Sequence, residues 1–152
     1  MSPHTTSPVA PPPIGLIAWV QDALDHVQPG QFLLIEYLTG EDMPVEPYAQ
    51  AALDPGGWYC EVISDQHLPR HRWPLDELEL ARTCWHQPDH GTDNWWQADV
   101  SLDHAAPLLV TALWRARGCT DEDCYAISVG TFPTGPDGGL PLLEPRTLPL
   151  AA

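Results

Sequence analysis

The residues best suited to chemistry in this sequence are crowded into one stretch: Cys84, His86 and His90, with Asp89 and Asp93 beside them. Thiolate, imidazole and carboxylate all bind zinc. The stretch nevertheless holds a single cysteine and lacks a paired Cys-x-x-Cys half-site, and Pro88, Asp89 and Gly91 are ordinary turn formers. It reads as a loop, with a zinc-binding domain or small zinc enzyme as the weaker alternative, and no cofactor is expected. Cys119 and Cys124 are separated by Thr-Asp-Glu-Asp instead of the two residues of a redox pair, and acid around a thiol raises its pKa. With Cys60 and Cys84 they read as reduced, buried or spectator thiols. Ser64, Asp65 and His67 supply triad residue types, but adjacent side chains of a strand point to opposite faces, so adjacency is no argument for a triad. A phosphate loop, a nucleophile elbow and a zinc-protease helix are all missing. Lysine is absent altogether, which removes Schiff-base catalysis and lysine phosphate clamps. The expectation is a protein that is not an enzyme.

Seven tryptophans are the other unusual feature. Core packing is expected for Trp85 and for one of Trp95 and Trp96. Because a strand alternates its faces, those two neighbours cannot both enter the same core. One of them lies on a surface, where exposed aromatics mark binding.

The elements that would position these residues follow from periodicity. Over residues 14–27, Leu16, Ile17, Val20, Leu24 and Val27 recur at spacings of three and four, with Trp19, Asp22 and Asp25 between them, and Pro29-Gly30 ends the helix. Residues 31–38 and 58–63 read as strands, and residues 47–53 as a weaker one, joined by Thr39-Gly40-Glu41-Asp42 and Asp54-Pro55-Gly56-Gly57. Three such strands imply an antiparallel meander. Residues 74–82 read as a helix with proline in its first turn and Leu75, Leu78 and Ala81 on one face. Residues 94–100 alternate like a short strand. Ser101 or Asp103 can then cap a helix running to about Arg117, with Ala105, Leu108, Leu109, Ala112 and Leu113 on its stripe and Gly118 as its stop. Strand composition returns after Cys124. The order helix, three strands, helix, strand, helix, and a last strand-like stretch predicts an α+β fold, with helices packed on one face of an antiparallel sheet.

Length suits one such domain over residues 14–132, preceded by a Pro-rich lead (1–13) and followed by a Pro/Gly-rich tail (133–152). Charge narrows the partners further. Against 21 acidic residues stand 6 basic ones, all arginine, for a net charge of −15, a field that repels phosphate and excludes nucleic acid. No stretch approaches a membrane span, and residues 1–13 have neither the basic start nor the apolar core of a signal peptide, so a cytoplasmic location is expected.

Several strings together resemble a known family. They are Gln31-Phe32-Leu33-Leu34-Ile35-Glu36, then Trp58-Tyr59-Cys60-Glu61-Val62-Ile63-Ser64-Asp65 followed by Leu68-Pro69, then Cys84-Trp85, Asn94-Trp95-Trp96 and the long final helix. In this order they resemble the TY-Chap family, bacterial peptide-binding domains similar to type III secretion chaperones and YbjN proteins. Cys84 stands where the family pattern has glycine, and the Pro-rich ends and the strand after Cys124 depart from it. The resemblance implies a type III secretion chaperone-like fold, often a homodimer, that passively holds a protein or peptide client on a sheet and helix surface. Trp58, Tyr59, Trp95 and Trp96 are the expected client contacts. The rival from another class is an acidic inhibitory or immunity-type protein that neutralises a basic partner.

Overall fold

The computed structural model describes residues 10–40, 46–65, 68, 73–89 and 93–132, and the backbone of 146–148. Helix α1 spans Ile14–Asp25, strands β1, β2 and β3 span Gln31–Tyr37, Tyr48–Asp54 and Gly57–Val62, and helix α2 spans Glu77–Arg82. Strand β4 (Trp95–Val100), helix α3 (Leu102–Thr111), β5 (Tyr125–Thr131) and β6 (Arg146–Leu148) complete the order. The sheet is antiparallel throughout and runs β4-β3-β2-β1-β5-β6. This is the expected α+β meander, extended by β4 at one edge and by β5 and β6 at the other.

Register assigns each face. One row of partners crosses the sheet as Trp95, Val62, Ala49, Ile35 and Ile127, all buried. Leu16, Val20 and Leu24 of α1, Leu80 of α2 and Leu109 of α3 close over that side in one apolar cluster. Every second residue faces away from it, so the neighbouring row, Trp96, Glu61, Gln50, Leu34 and Ser128, lies on the opposite face. Glycine is required at Gly57, where φ is +143° and an added Cβ would come within 2.9 Å of the Val100 carbonyl oxygen. At the bulge opposite it, Asp99 takes a φ of 55° and the β3–β4 register shifts between Trp58 and Cys60.

Three expectations are corrected. Trp19, read as lying between the apolar positions of α1, is buried in the core. Helix α2 is shorter than residues 74–82: Asp76 caps it by accepting from Glu79 N at 3.0 Å, which leaves Pro74 outside. Its buried face is Glu79 and Leu80, and Leu78 is 82% exposed. Two backbone bonds set that roll, Asp76 N to Ala116 O at 2.8 Å and Trp85 N to Leu80 O at 2.9 Å. Finally, α3 does not stay α-helical to Arg117. After Thr111 the chain widens into a π-helical turn, Ala112–Ala116, in which Arg117 N donates to Ala112 O at 3.2 Å.

The widened turn brings Arg117 into the interior. Its guanidinium donates to Ile63 O from Nη2 at 2.8 Å, and to Trp73 O and the Asp65 carboxylate from Nη1 at 3.0 Å each. The planar fork thereby ties the end of β3 to the segment leading into α2.

Candidate functional site

The sheet face turned away from the helices carries a polar and aromatic surface centred on Glu61. Its carboxylate accepts from Gln50 Nε2 at 2.6 Å and from the Tyr59 hydroxyl at 2.9 Å, and Asn94 Nδ2 lies at 3.4 Å. Asn94 also donates to the Tyr48 hydroxyl at 2.9 Å and accepts from Ser64 N at 3.3 Å, so residues of β2, β3 and the approach to β4 form one network. Only 9% of Glu61 is exposed. Burial and Asn94 also act on Tyr48: desolvation raises its pKa and the Asn94 hydrogen bond partly offsets the rise.

Around this carboxylate lie flat rings. Tyr59 stacks on Trp96 with centroids 6.3 Å apart and planes 22° apart, and the His86 ring lies 4.4 Å from Trp96 on the far side of the β4 edge. His86 is held there by a two-way backbone bridge, His86 N to Trp96 O at 2.8 Å and Trp96 N to His86 O at 3.1 Å. Trp96 Nε1 is buried and finds no acceptor among the described residues. Further across the same face, Phe32 covers Gly130, where no side chain competes for the space, and packs on Phe132 at 5.0 Å. Glu36 sits on this face too. Desolvation, and then the nearby Glu46 carboxylate, raises its pKa.

The four expected contacts separate onto different surfaces. Tyr59 and Trp96 are half-buried on the open face, whereas Trp58 and Trp95 are buried on the core side. Alternation requires this of both neighbouring pairs, and Trp85 joins the core as expected. Trp58 and Trp95 pack in the core, and their edges reach separate concavities. Trp95 lines one of about 370 Å³ with Ser64, Asp65 and Leu75, and Trp58 floors another of about 310 Å³ beside α1 and α3. The supporting polar network, Gln50, Glu61 and Asn94, went unread in the sequence. Its only signal was polar residues at the outward positions of otherwise apolar strands.

Cys84, at a φ of 69° just after α2, and His86 belong to the turn leading to β4, where the His86 ring lies tilted against Trp96; His90 lies outside the described residues. Among the described residues, no group of three or more His, Cys, Asp and Glu is placed to hold a metal ion. All four cysteines are free thiols, Cys60 and Cys119 buried, Cys84 exposed and Cys124 between the two. His67, named with Ser64 and Asp65, also falls outside the described residues. No described helix is long and apolar enough to cross a membrane.

Among the described residues no helix covers this sheet face, which carries aromatic rings and hydrogen-bonding side chains. Residues 18–123 match the family model described as T3SS (YopN, CesT) and YbjN peptide-binding chaperone 3. The chain belongs to this family. The matched stretch begins inside α1 and ends just before β5, so the peptide-binding chaperone domain includes the network around Glu61 and the Tyr59–Trp96 stack. β5 and β6 lie beyond it. No curated protein and no solved structure gave a match.

Proposed function

We propose that this chaperone domain holds an extended segment of a protein client on the open face of its sheet, by passive binding and without catalysis. The observation that carries the reading is the row Trp96, Glu61, Gln50, Leu34 and Ser128, which runs across five strands on the side away from the helices. It offers apolar contact at Leu34, stacking at Trp96 with Tyr59 beside it, and hydrogen bonding at Gln50, with the buried Glu61 carboxylate holding Gln50 and Tyr59 in place. Rings that are already stacked lose little side-chain entropy when a client arrives, which favours affinity. Tyr59 and Trp96 are the direct contacts in this reading, while Trp58 and Trp95 support the sheet from behind.

The test is capture from the native host with the tagged full chain, compared with a Tyr59→Ser/Trp96→Ser double variant whose melting temperature confirms folding. A protein recovered reproducibly with the wild type and lost with the variant is expected. Equal recovery by both, or no reproducible protein, would overturn the proposal. Recovery abolished by moderate salt would instead mark charge-led neutralisation of a basic partner.

A further inference from the structure

The concavity floored by Trp58 has a chemistry of its own. It opens where the end of α1, the β2–β3 hairpin and the β4–α3 junction meet, with Leu24, Val27, Leu53, Trp58, Val100 and Leu102 as its apolar lining. Gly57 contributes no side chain, which leaves Trp58 as floor. A single residue, Ser101, separates β4 from α3, so Leu102 falls at the rim, where it stays 42% exposed. An exposed leucine beside buried apolar side chains is apolar surface that an occupant could remove from water.

The rim is acidic. Asp25 lines the groove, and Asp54, Asp99 and Asp103, all exposed, sit on the hairpin end, the bulge and the first turn of α3 that frame it. The arginines are at 70, 72, 82, 115, 117 and 146, so none lies on α1, β2, β3, β4 or α3. The two imidazoles nearby are engaged locally, His26 Nδ1 with Asp22 O at 2.7 Å and His104 Nδ1 with Ser101 Oγ at 2.6 Å. Neither described end of the chain fills the groove. Ala10 is bound to Trp114 Nε1 at 2.8 Å, and residues 146–148 pair with β5.

We propose that this groove is a second anchor for the client, seating one large apolar side chain flanked by lysine or arginine. An apolar floor rewards a leucine-, methionine- or phenylalanine-sized group, and a rim of carboxylates on elements that carry no arginine selects cations on either side of it. A cavity of about 310 Å³ has room for one such side chain. The inference rests on the client-holding function and supplies a selection rule for it: basic residues bracketing an apolar one.

The experiment titrates the full chain with fluorescent extended peptides that carry a central phenylalanine flanked by lysines. Matched peptides have glutamate flanks, or serine in place of the phenylalanine. A benzophenone side chain at the anchor position reports where it sits. Lys-flanked peptides should bind about tenfold or more tighter than either control. Crosslinks should fall on Leu53 or Leu102, and Leu102→Ser should weaken binding without changing the melting temperature. Asp25→Asn/Asp99→Asn should reduce both affinity and its dependence on salt. Equal binding of the Glu-flanked peptide, crosslinks elsewhere, or no binding of the Lys-flanked peptide overturns the groove assignment. Peptide binding lost only in Tyr59→Ser/Trp96→Ser would also overturn it while leaving the open-face function standing.

Discussion

Arg117 points its guanidinium at the Ile63 carbonyl oxygen, 2.8 Å from Nη2 and 3.3 Å from Nε, in a position with 0% exposure. The contact joins the end of the π-helical turn that follows α3 to the residue just after β3, two residues beyond Glu61. It fixes the segment from which the open-face network is built.

Breaking this contact should therefore be costly. Arg117→Ala leaves two carbonyl oxygens without this donor, and each unsatisfied buried acceptor costs about 1–3 kcal/mol. Arg117→Lys keeps the charge, but a point-like ammonium cannot serve Ile63, Trp73 and Asp65 together, so a loss of roughly 2 kcal/mol is expected. Urea unfolding monitored by tryptophan fluorescence checks both. A lysine variant as stable as the wild type would show that geometry at this arginine is unimportant.

A second lock lies in the backbone at Gly57. Alanine there must hold a φ of +143° with its Cβ pressed on the Val100 carbonyl, and strain of this kind costs about 1–3 kcal/mol. Gly56 next to it meets only the Asp99 side chain, which can swing aside. Gly57→Ala should thus lower the melting temperature clearly and Gly56→Ala little. Equal effects would mean that the bulge yields.

These two residues show where the sequence was legible. Element order, the meander and the division of Trp95 from Trp96 followed from periods of two and of three to four, because burial on one face imposes those periods directly. The open face was half legible for the same reason: alternation said that one tryptophan must leave the core, but not that Gln50 of β2 and Asn94 just before β4 would meet Glu61. Such meetings depend on register, which local pattern does not encode. Arg117 looked like an ordinary basic residue near a helix end, and only the π-helical turn before it directs it inward. The α2 face was misread because its roll is set by Asp76 and Trp85 backbone bonds rather than by its own leucines.

On the open face, Glu36 gives the pH dependence. Its folded-state pKa is raised from 4.5 by desolvation and then by Glu46, so folding favours the protonated form. That contribution is fully present below pH 4.5 and is lost as pH rises through the raised value. Glu36→Gln should then be more stable than the wild type at neutral pH, with the gain shrinking toward pH 4. Melting temperatures of the two proteins across that range supply the check, and a gain that grows on acidification would contradict it.

The thiols report whether the core side of the sheet is closed as described. Cys60 lies in the buried row with Ala51 and Leu33, where desolvation pushes its thiol pKa up to about 12. Cys119 is raised as well, mainly by burial, with Arg117 opposing. Since thiolate is the reactive form, both are protected twice, by exclusion of reagent and by protonation. Cys84 is exposed at its turn, and Cys124 is intermediate, with desolvation and then Asp121 raising its pKa. Brief maleimide treatment of the native protein at neutral pH should label Cys84 first and Cys124 slowly, while Cys60 and Cys119 react only in denaturant. Peptide mass spectrometry distinguishes the four sites. Early labelling of Cys60 would mean that β2 and β3 separate readily, and a sheet that opens so easily could not hold a client on its outer face.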